Sequence, residues 1–449
     1  MSNRDASNRD TTLSAAQPYT LAGDSLLARW AEVPADRRVT EFRTLPEGAD
    51  DQFFLALGSA DQADLLAALP PIERRLWLRA LAPDDAADVI QRFPVGERAL
   101  LLAQLDDASR REVSALLAYA EDEAGGLMSP RFARLRPDQS VGEAVRYLRQ
   151  QATAGVETIY YAYVVDAEQR LVGVVSFRDL FGARDSTPVS EVMRTEFVSV
   201  APDLDQERVA RVIATHDLVA VPVVDAAGVL HGIVTVDDIV DVVQEEASED
   251  IHKLGGMEAL DEPYLKTTFG AMIKKRAGWL SALFIGEMLT ATAMAGYQAD
   301  LERAVVLAVF VPLIISSGGN SGSQATSLVI RALALGQLRP SDAWQVVRRE
   351  LASGLALGAI LGAIGLVRVL TWHVLFGSYP DHAVQLALTV GVSLVGVVTW
   401  GTLSGALLPL LVRRLGFDPA SASAPFVATL VDVTGLVIYF SVAHVLMGV

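Results

Sequence analysis

Three kinds of hydrophobic patterning succeed one another along the chain. From about Leu21 to Ala120 apolar residues recur at every third or fourth position. Examples are Ala63-Asp64-Leu65-Leu66-Ala67-Ala68-Leu69, Leu76–Leu81 and Leu100–Leu105. That period predicts amphipathic helices. Pro70-Pro71, Pro83-Asp84-Asp85 and Asp106-Asp107 supply helix starts. Units recurring at roughly twenty residues predict a short helical solenoid. Between about Gly126 and Val243 the runs become short and β-rich: Tyr160–Asp166, Leu171–Ser176, Ala220–Asp225 and Leu230–Thr235. An acidic stretch from Asp237 to Asp250 then reads as one helix. Five apolar segments follow, near Ala277–Gln298, Ala304–Arg331, Leu351–Gly377, Ala383–Val412 and Ala424–Met447. Each is long enough to cross a hydrocarbon core of about 30 Å. The first twenty residues are Ser-, Asn- and Asp-rich and predict a disordered tail without the apolar core of a signal peptide.

Charge divides the chain in the same place. Up to Glu262 there are 46 acidic and 25 basic residues, and from Pro263 onward 8 acidic and 12 basic. An acidic soluble half therefore precedes a mildly basic membrane half, which argues against nucleic acid and for cations. Cysteine is absent, so disulfides and thiolate metal sites are excluded, in keeping with a reducing compartment. Lys274-Lys275-Arg276 precede the first span, Arg339, Arg348 and Arg349 lie between the second and third, and Arg413-Arg414 between the fourth and fifth. The loop Ser378-Tyr379-Pro380-Asp381-His382 has no Lys or Arg, and Asp300-Leu301-Glu302-Arg303 only one. This asymmetry predicts a multi-pass protein of the inner (plasma) membrane, with a cytoplasmic N-terminus and the C-terminus outside.

The β-rich region is duplicated. Tyr163-Val164-Val165-Asp166 and Leu171–Leu180 match Pro222-Val223-Val224-Asp225 and Leu230–Ile239, and a Met heads each copy, Met128 and Met193. Strand, Asp turn, strand and a helix beginning at Asp, twice in order, resemble a pair of CBS domains. That resemblance implies a regulatory module with an adenine nucleotide such as ATP as its ligand. Tyr161, Arg178 and Asp179 fall where related modules contact one.

On the acidic helix, Asp238, Asp241, Glu245 and Glu249 fall on one face. A charge run of this kind is ordinarily a solvated face. Here it joins a regulatory module to a membrane half, and carboxylate oxygens suit hard divalent cations. Gly255-Gly256 predicts a bend after it.

The fifth apolar segment carries one carboxylate, Asp432, with Thr429 and Gly435 three residues to either side. A charge near the middle of a membrane helix costs roughly 3 kcal/mol on insertion scales. It should therefore face water, a counter-charge such as Arg331 or Arg368, or an ion. We read its face as the lining of a cation pathway. In the second segment, Pro312 and Ser316-Ser317-Gly318-Gly319-Asn320-Ser321-Gly322-Ser323-Gln324 predict a break in the helix. Its polar groups, Asn320 among them, would border water or serve close packing. Gly286 and Glu287 in the first segment read as a packing or gating pair rather than a filter.

Taken together, the chain resembles the MgtE family of magnesium channels. The strings that carry the resemblance are Glu246-Ala247-Ser248-Glu249-Asp250-Ile251, Gly318-Gly319-Asn320, Asp418-Pro419-Ala420 and Ala428-Thr429-Leu430-Val431-Asp432-Val433-Thr434-Gly435. It implies a multidomain membrane protein: tail over 1–20, cytosolic all-α N domain over 21–125, α/β CBS domains over 126–185 and 186–243, connecting helix over 244–270, and a five-helix transmembrane domain over 271–449. It also implies a homodimer in membrane lipid, with Asp432 and the Ala428 carbonyl holding hydrated Mg²⁺. Regulatory Mg²⁺ sites fall by the same resemblance on Asp84, Asp88, Glu207, Asp217, Asp238, Asp241, Glu246, Glu249, Asp250 and Asp418, and Asp85 lies in the same N-domain patch. Departures are Ser323, where many members have Asn, and Ala424, where a polar residue or Gly is common. The expected function is Mg²⁺ uptake shut off by cytosolic Mg²⁺. The rivals are an ion-coupled carrier of Co²⁺, Mn²⁺ or Ni²⁺, a CBS-regulated anion channel and an intramembrane hydrolase. The anion channel would want basic residues at the pore. The hydrolase lacks any His-Glu-x-x-His or Gly-x-Ser-x-Gly motif.

Overall fold

The computed structural model describes residues 22–46, 48–151, 160–260, 264–298, 305–379 and 382–448. The predicted tail, the loop Asp300–Arg303 and residues 380–381 lie outside them. The chain divides into two units, Met1–Val243 and Gln244–Val449.

The first unit opens with short helices. Successive helices start at Ser59, Pro71, Pro83, Val95 and Asp107, twelve residues apart, so a helix pair repeats every twenty-four residues, a longer period than the roughly twenty the sequence predicts. Several starts have a local cause. Pro71 and Pro83 occupy the first helical turn, where no backbone donor is needed. Asp106 accepts from the backbone N–H groups of Ala108 and Ser109, both at 3.0 Å. An aromatic cluster holds the first helices, with Phe42 and Phe54 about Trp77 at 5.0 and 5.1 Å between ring centres. Its apolar core runs on without interruption into the second β-rich repeat through Val113, Met128, Val221 and Ile239.

The duplication is visible in the register. Strand β1 (Arg134–Leu135) runs parallel to β2 (Tyr161–Val165), which pairs antiparallel with β3 (Leu171–Ser176). Strand β4 (Ala220–Val224) pairs antiparallel with β5 (Leu230–Thr235). Tyr161 faces Ser176 as Ala220 faces Thr235, and both hairpins shift register at the same step. The repeats also exchange their leading segments. Met128 lies against Gly232 of the second repeat, and Met193 against Gly173 of the first, so closely that a Cβ on either glycine would stand within 3 Å of sulfur.

The connecting helix runs Val236–Leu254, beginning before the predicted boundary at 244 and ending well short of 270. Thr235 precedes it: its backbone N–H and its hydroxyl both donate to Asp238 Oδ2, at 3.3 and 2.6 Å. The expected bend ends it, with Gly256 in the left-handed region at φ +72°.

In the second unit, five helices among the described residues are long and apolar enough to span a membrane. They run Phe269–Gly296, Val306–Ala334, Ala343–Phe376, Ala383–Arg414 and Ala424–Met447. The predicted break in the second span does not occur; one helix passes through Pro312 and the whole Ser-Gly-Asn tract. Some of the polar groups are satisfied by the helix itself, while Ser323 donates to the Ala424 carbonyl of the fifth span at 3.4 Å and the buried Ser321 hydroxyl has no partner among the described residues. Ser317 donates to the Leu313 carbonyl at 2.7 Å, Thr326 to Gly322 at 2.9 Å and Ser327 to Ser323 at 3.0 Å. The glycines serve contact. Gly318 and Gly322 meet Gly401 and Gly405 of the fourth span backbone to backbone. On the third span, a Cβ at Gly358 would lie 2.8 Å from the Val395 backbone, and one at Gly362 2.6 Å from the Gly391 carbonyl. Apolar burial drives little helix association in lipid, so this fit of small residues is what packs the spans.

Candidate ion pathway and acidic control face

The first span lies parallel to the fifth and no residue of it is buried in the chain. Three ties set its register. Trp279 Nε1 donates to Ser423 Oγ at 3.2 Å, Gly286 packs on the Thr429 methyl group, and the Tyr297 and Phe440 rings stack at 4.7 Å. This register brings the Glu287 carboxyl beside that of Asp432.

Asp432 is half-buried. It stands eight residues into its helix, about 12 Å along the axis. It and Ala428 face Gly319 of the second span: a Cβ there would lie 3.5 Å from the Ala428 Cβ and 4.0 Å from Asp432 Oδ1. The expected arginine partners are otherwise engaged or turned away. Arg368 lies 3.2 Å over the Trp372 ring and Arg331 is exposed, and no ion pair among the described residues includes Asp432. Thr429 donates back to the Pro425 carbonyl at 3.1 Å while its methyl group meets the first span. Gly435 is placed differently from its predicted role. It is buried against Val397 of the fourth span, so it packs helices and does not line a path. Asn320 is exposed on the chain and donates weakly to Ser316 Oγ at 3.5 Å.

The acidic residues fall into three groups. In the first unit, Asp84, Asp85 and Asp88 sit on the helix Pro83–Gln91. Burial, with Glu121, Asp85 and Asp238 as negative neighbours, pushes the Asp88 carboxyl up to about 8 against the pull of Arg92. Burial, then Asp237 and Asp241, raises Asp85 as well. The structure thus brings the N-domain patch together with the start of the connecting helix, and adds Glu121, which the sequence reading missed. Glu207 and Asp217 lie at opposite ends of the helix Gln206–His216, about 15 Å apart, so one chain cannot bring both to one ion. Glu207 pairs instead with Arg211 at 2.7 Å, and Asp217 ends the helix at φ +50°.

The third group lies in the second unit, where Lys253 Nζ bridges Asp418 Oδ2 at 2.7 Å and Glu249. Burial alone would lower this lysine, but its bonds to Asp418 and Glu249 outweigh that and raise it. Glu246 and Asp250 lie on the same stretch of helix, both part-exposed. No three His, Cys, Asp or Glu side chains among the described residues converge as a ready metal cage. In the CBS pair, Tyr161 opens β2, and Arg178 and Asp179 open the helix after β3. Ser176 Oγ donates to Asp179 Oδ2 at 2.7 Å, and Arg194 stands 3.5 Å from the same carboxylate.

Comparison with known proteins decides the family. A family model described as a divalent cation transporter, MgtE, matches residues 311–442. The MgtE intracellular N domain matches 25–122, and CBS domains match 124–186 and 189–245. The magnesium transporter MgtE of Thermus thermophilus is 43% identical over 425 residues, covering 94% of this chain and 92% of the relative. The chain belongs to the MgtE family of magnesium transporters. The Enterococcus faecalis MgtE is 38% identical, covering 75% of this chain and 72% of its own length. A crystal structure of the cytosolic domain of the Mg²⁺ channel MgtE in complex with ATP is 42% identical, covering 50% of this chain and 91% of that one, with a TM-score of 0.47. This MgtE protein is accordingly a multi-pass membrane transporter of magnesium, with an N domain, a CBS pair and five apolar helices, and it is not an enzyme.

Proposed function

We propose that the chain is a Mg²⁺-selective channel, working as a homodimer and closed by Mg²⁺ on its N-terminal, cytoplasmic side. The observation that carries the reading is Asp432: a half-buried carboxylate at mid-span, facing Ala428 and Gly319, with no basic partner among the described residues. Such a group wants a cation. Mg²⁺ sheds its waters reluctantly, so a carboxylate and the Ala428 carbonyl would hold it through water and release it readily. Thr429, three residues before Asp432, and Asn320, next to Gly319, would accept from those waters.

Control follows from charge. The soluble half carries the large acidic excess, and its acids cluster on the N-domain patch and along the connecting helix. At low Mg²⁺ these faces repel. Mg²⁺ on Asp84, Asp88, Asp238, Asp241, Glu246, Glu249, Asp250 and Asp418 favours the drawn-together, closed state as a population shift. Glu207 and Asp217, far apart in one chain, would act only across two. The donor set consists of carboxylate oxygens, as a hard cation requires. ATP at Tyr161, Arg178 and Asp179 would tune the module. Five spans would put the two ends of the membrane unit on opposite faces, and the basic loops favour the cytoplasmic side for the first.

The test is current and flux in liposomes for wild type and Asp432→Asn, with Mg²⁺ titrated on the N-terminal side. The channel reading expects single-channel current that the substitution abolishes and that Mg²⁺ closes. Flux without unitary current, preferring Co²⁺, Mn²⁺ or Ni²⁺, would establish the carrier instead.

A further inference from the structure

Two acids meet at mid-span, where the pathway reading needs only one. Glu287 lies eleven residues beyond Arg276, about 16 Å up the first span from the basic cluster that marks the membrane edge. The helix register set by Trp279, Gly286 and Tyr297 puts its carboxyl beside that of Asp432. Gly286 is what permits the approach. A Cβ there would already stand 3.0 Å from the Thr429 methyl carbon, and a larger side chain would hold the two helices apart.

We propose that Glu287 is a second ion-binding group of the pathway, offering carboxylate oxygens beside those of Asp432 to the passing divalent cation. The inference rests on the pathway reading of Asp432 above. Its own support is threefold. No basic side chain among the described residues pairs with either acid. The groups on the surrounding helices are accounted for: Arg368 lies over Trp372, Arg413 donates to the Leu333 carbonyl, and Lys274, Lys275 and Arg276 lie at the far end of the first span. Glu287 is also exposed, on a helix with no buried residue, and an ionisable group there is expensive against lipid and must meet water or an ion. Two neighbouring carboxylates without a counter-charge repel, and a divalent ion relieves that repulsion more than a monovalent one does. Glu287 would thereby set both affinity and the preference for divalent over monovalent cations. Its position on the first span also gives the pathway a wall from a third helix, beside the second and fifth spans.

The experiment uses the full chain in liposomes, with Mg²⁺ as the permeant ion and K⁺ as the competitor. Glu287→Gln keeps the size and hydrogen bonding of the side chain and removes its charge. It should raise the half-saturating Mg²⁺ about fivefold or more and lower the Mg²⁺ over K⁺ preference. Maximal current should change less, and the Mg²⁺ concentration that closes the channel should stay as in wild type. Glu287→Asp should retain near-normal half-saturation. Glu287→Ser runs alongside, so that poor assembly of one neutral variant leaves the other readable. Wild-type half-saturation and selectivity in either neutral variant, with Asp432→Asn inactive, overturns the role of Glu287 alone. An Asp432→Asn protein that conducts like wild type overturns the pathway reading itself.

Discussion

Lys253 Nζ donates to Asp418 Oδ2 at 2.7 Å and is paired as well with Glu249, one turn earlier on the connecting helix. Asp418 is fixed from its other side, where its Oδ1 accepts from the Ala420 backbone N–H at 2.9 Å. The ammonium therefore stands between two carboxylates that the proposed function gives to regulatory Mg²⁺. A cleft of about 390 Å³, lined by Glu258, Lys275 and Trp279 among others, opens beside it.

Lys253 should compete with the ion. Replacing it with Met removes a tethered cation that Mg²⁺ must displace, so closure should occur at lower Mg²⁺. The pair is part-exposed, and such pairs are worth about 0.2–1 kcal/mol, so a shift of about 1.4-fold to fivefold is expected. Inhibition curves of wild type and Lys253→Met in patches read it directly. A curve displaced to higher Mg²⁺ would mean that the lysine itself holds the closed state.

Asp88 should make stability fall as pH rises. The folded protein keeps its proton up to about pH 8, whereas the unfolded chain releases it near 4. Between those values the folded state binds the extra proton, so each pH unit removes up to about 1.4 kcal/mol of its stability. Above about pH 8 both states are ionised and the slope ends. Thermal unfolding of the full chain with chelator, at pH 5 and pH 8, should show the lower midpoint at pH 8. Asp88→Asn should narrow the gap, and so should added Mg²⁺, which favours the ionised form.

Asp238 has two duties that substitution can separate. It caps the connecting helix through Thr235, and it is one of the proposed regulatory acids. Asp238→Asn retains an oxygen acceptor for the cap and should leave stability within about 0.5 kcal/mol, while weakening closure by Mg²⁺. Thr235→Ala should do the reverse, lowering stability by about 1 kcal/mol with a smaller effect on the Mg²⁺ midpoint. Paired melting and inhibition curves distinguish the two.

Gly358→Leu should damage the membrane unit. The glycine lies against the Val395 backbone, which cannot yield as a side chain would. Overpacking of this kind costs about 1–3 kcal/mol, and more where backbone is the obstacle. Gly270→Ala, with nothing within 4 Å, is the matching control and should melt like wild type. Thermal unfolding in detergent compares them.

The repeated hairpins were legible because each carries its own local signals. An Asp turn follows the first strand, and a helix start follows the second, at Ser176 in one copy and Thr235 in the other. Asp432 stands out in the string because a carboxylate in an apolar span has few benign explanations. The second span misled for a physical reason. Ser, Gly and Asn signal a loop where water competes for the backbone, but in lipid the same residues bond to their own helix and let neighbours approach. Which neighbour would approach is not written locally, so the burial of Gly435 against Val397 was out of reach. So were Glu121 beside Asp88 and Glu287 beside Asp432. A lysine near a helix C-terminus is ordinary, and nothing in the string around Lys253 points to an aspartate 165 residues away.

Because Met128 fills a slot beside Gly232 and Met193 one beside Gly173, neither CBS copy is complete without the other's leading strand-side segment. A cut between them would leave two halves, each with an open notch and a stray thioether. The pair must therefore be inherited, grafted or deleted as one piece, and a force applied to either half is felt by both.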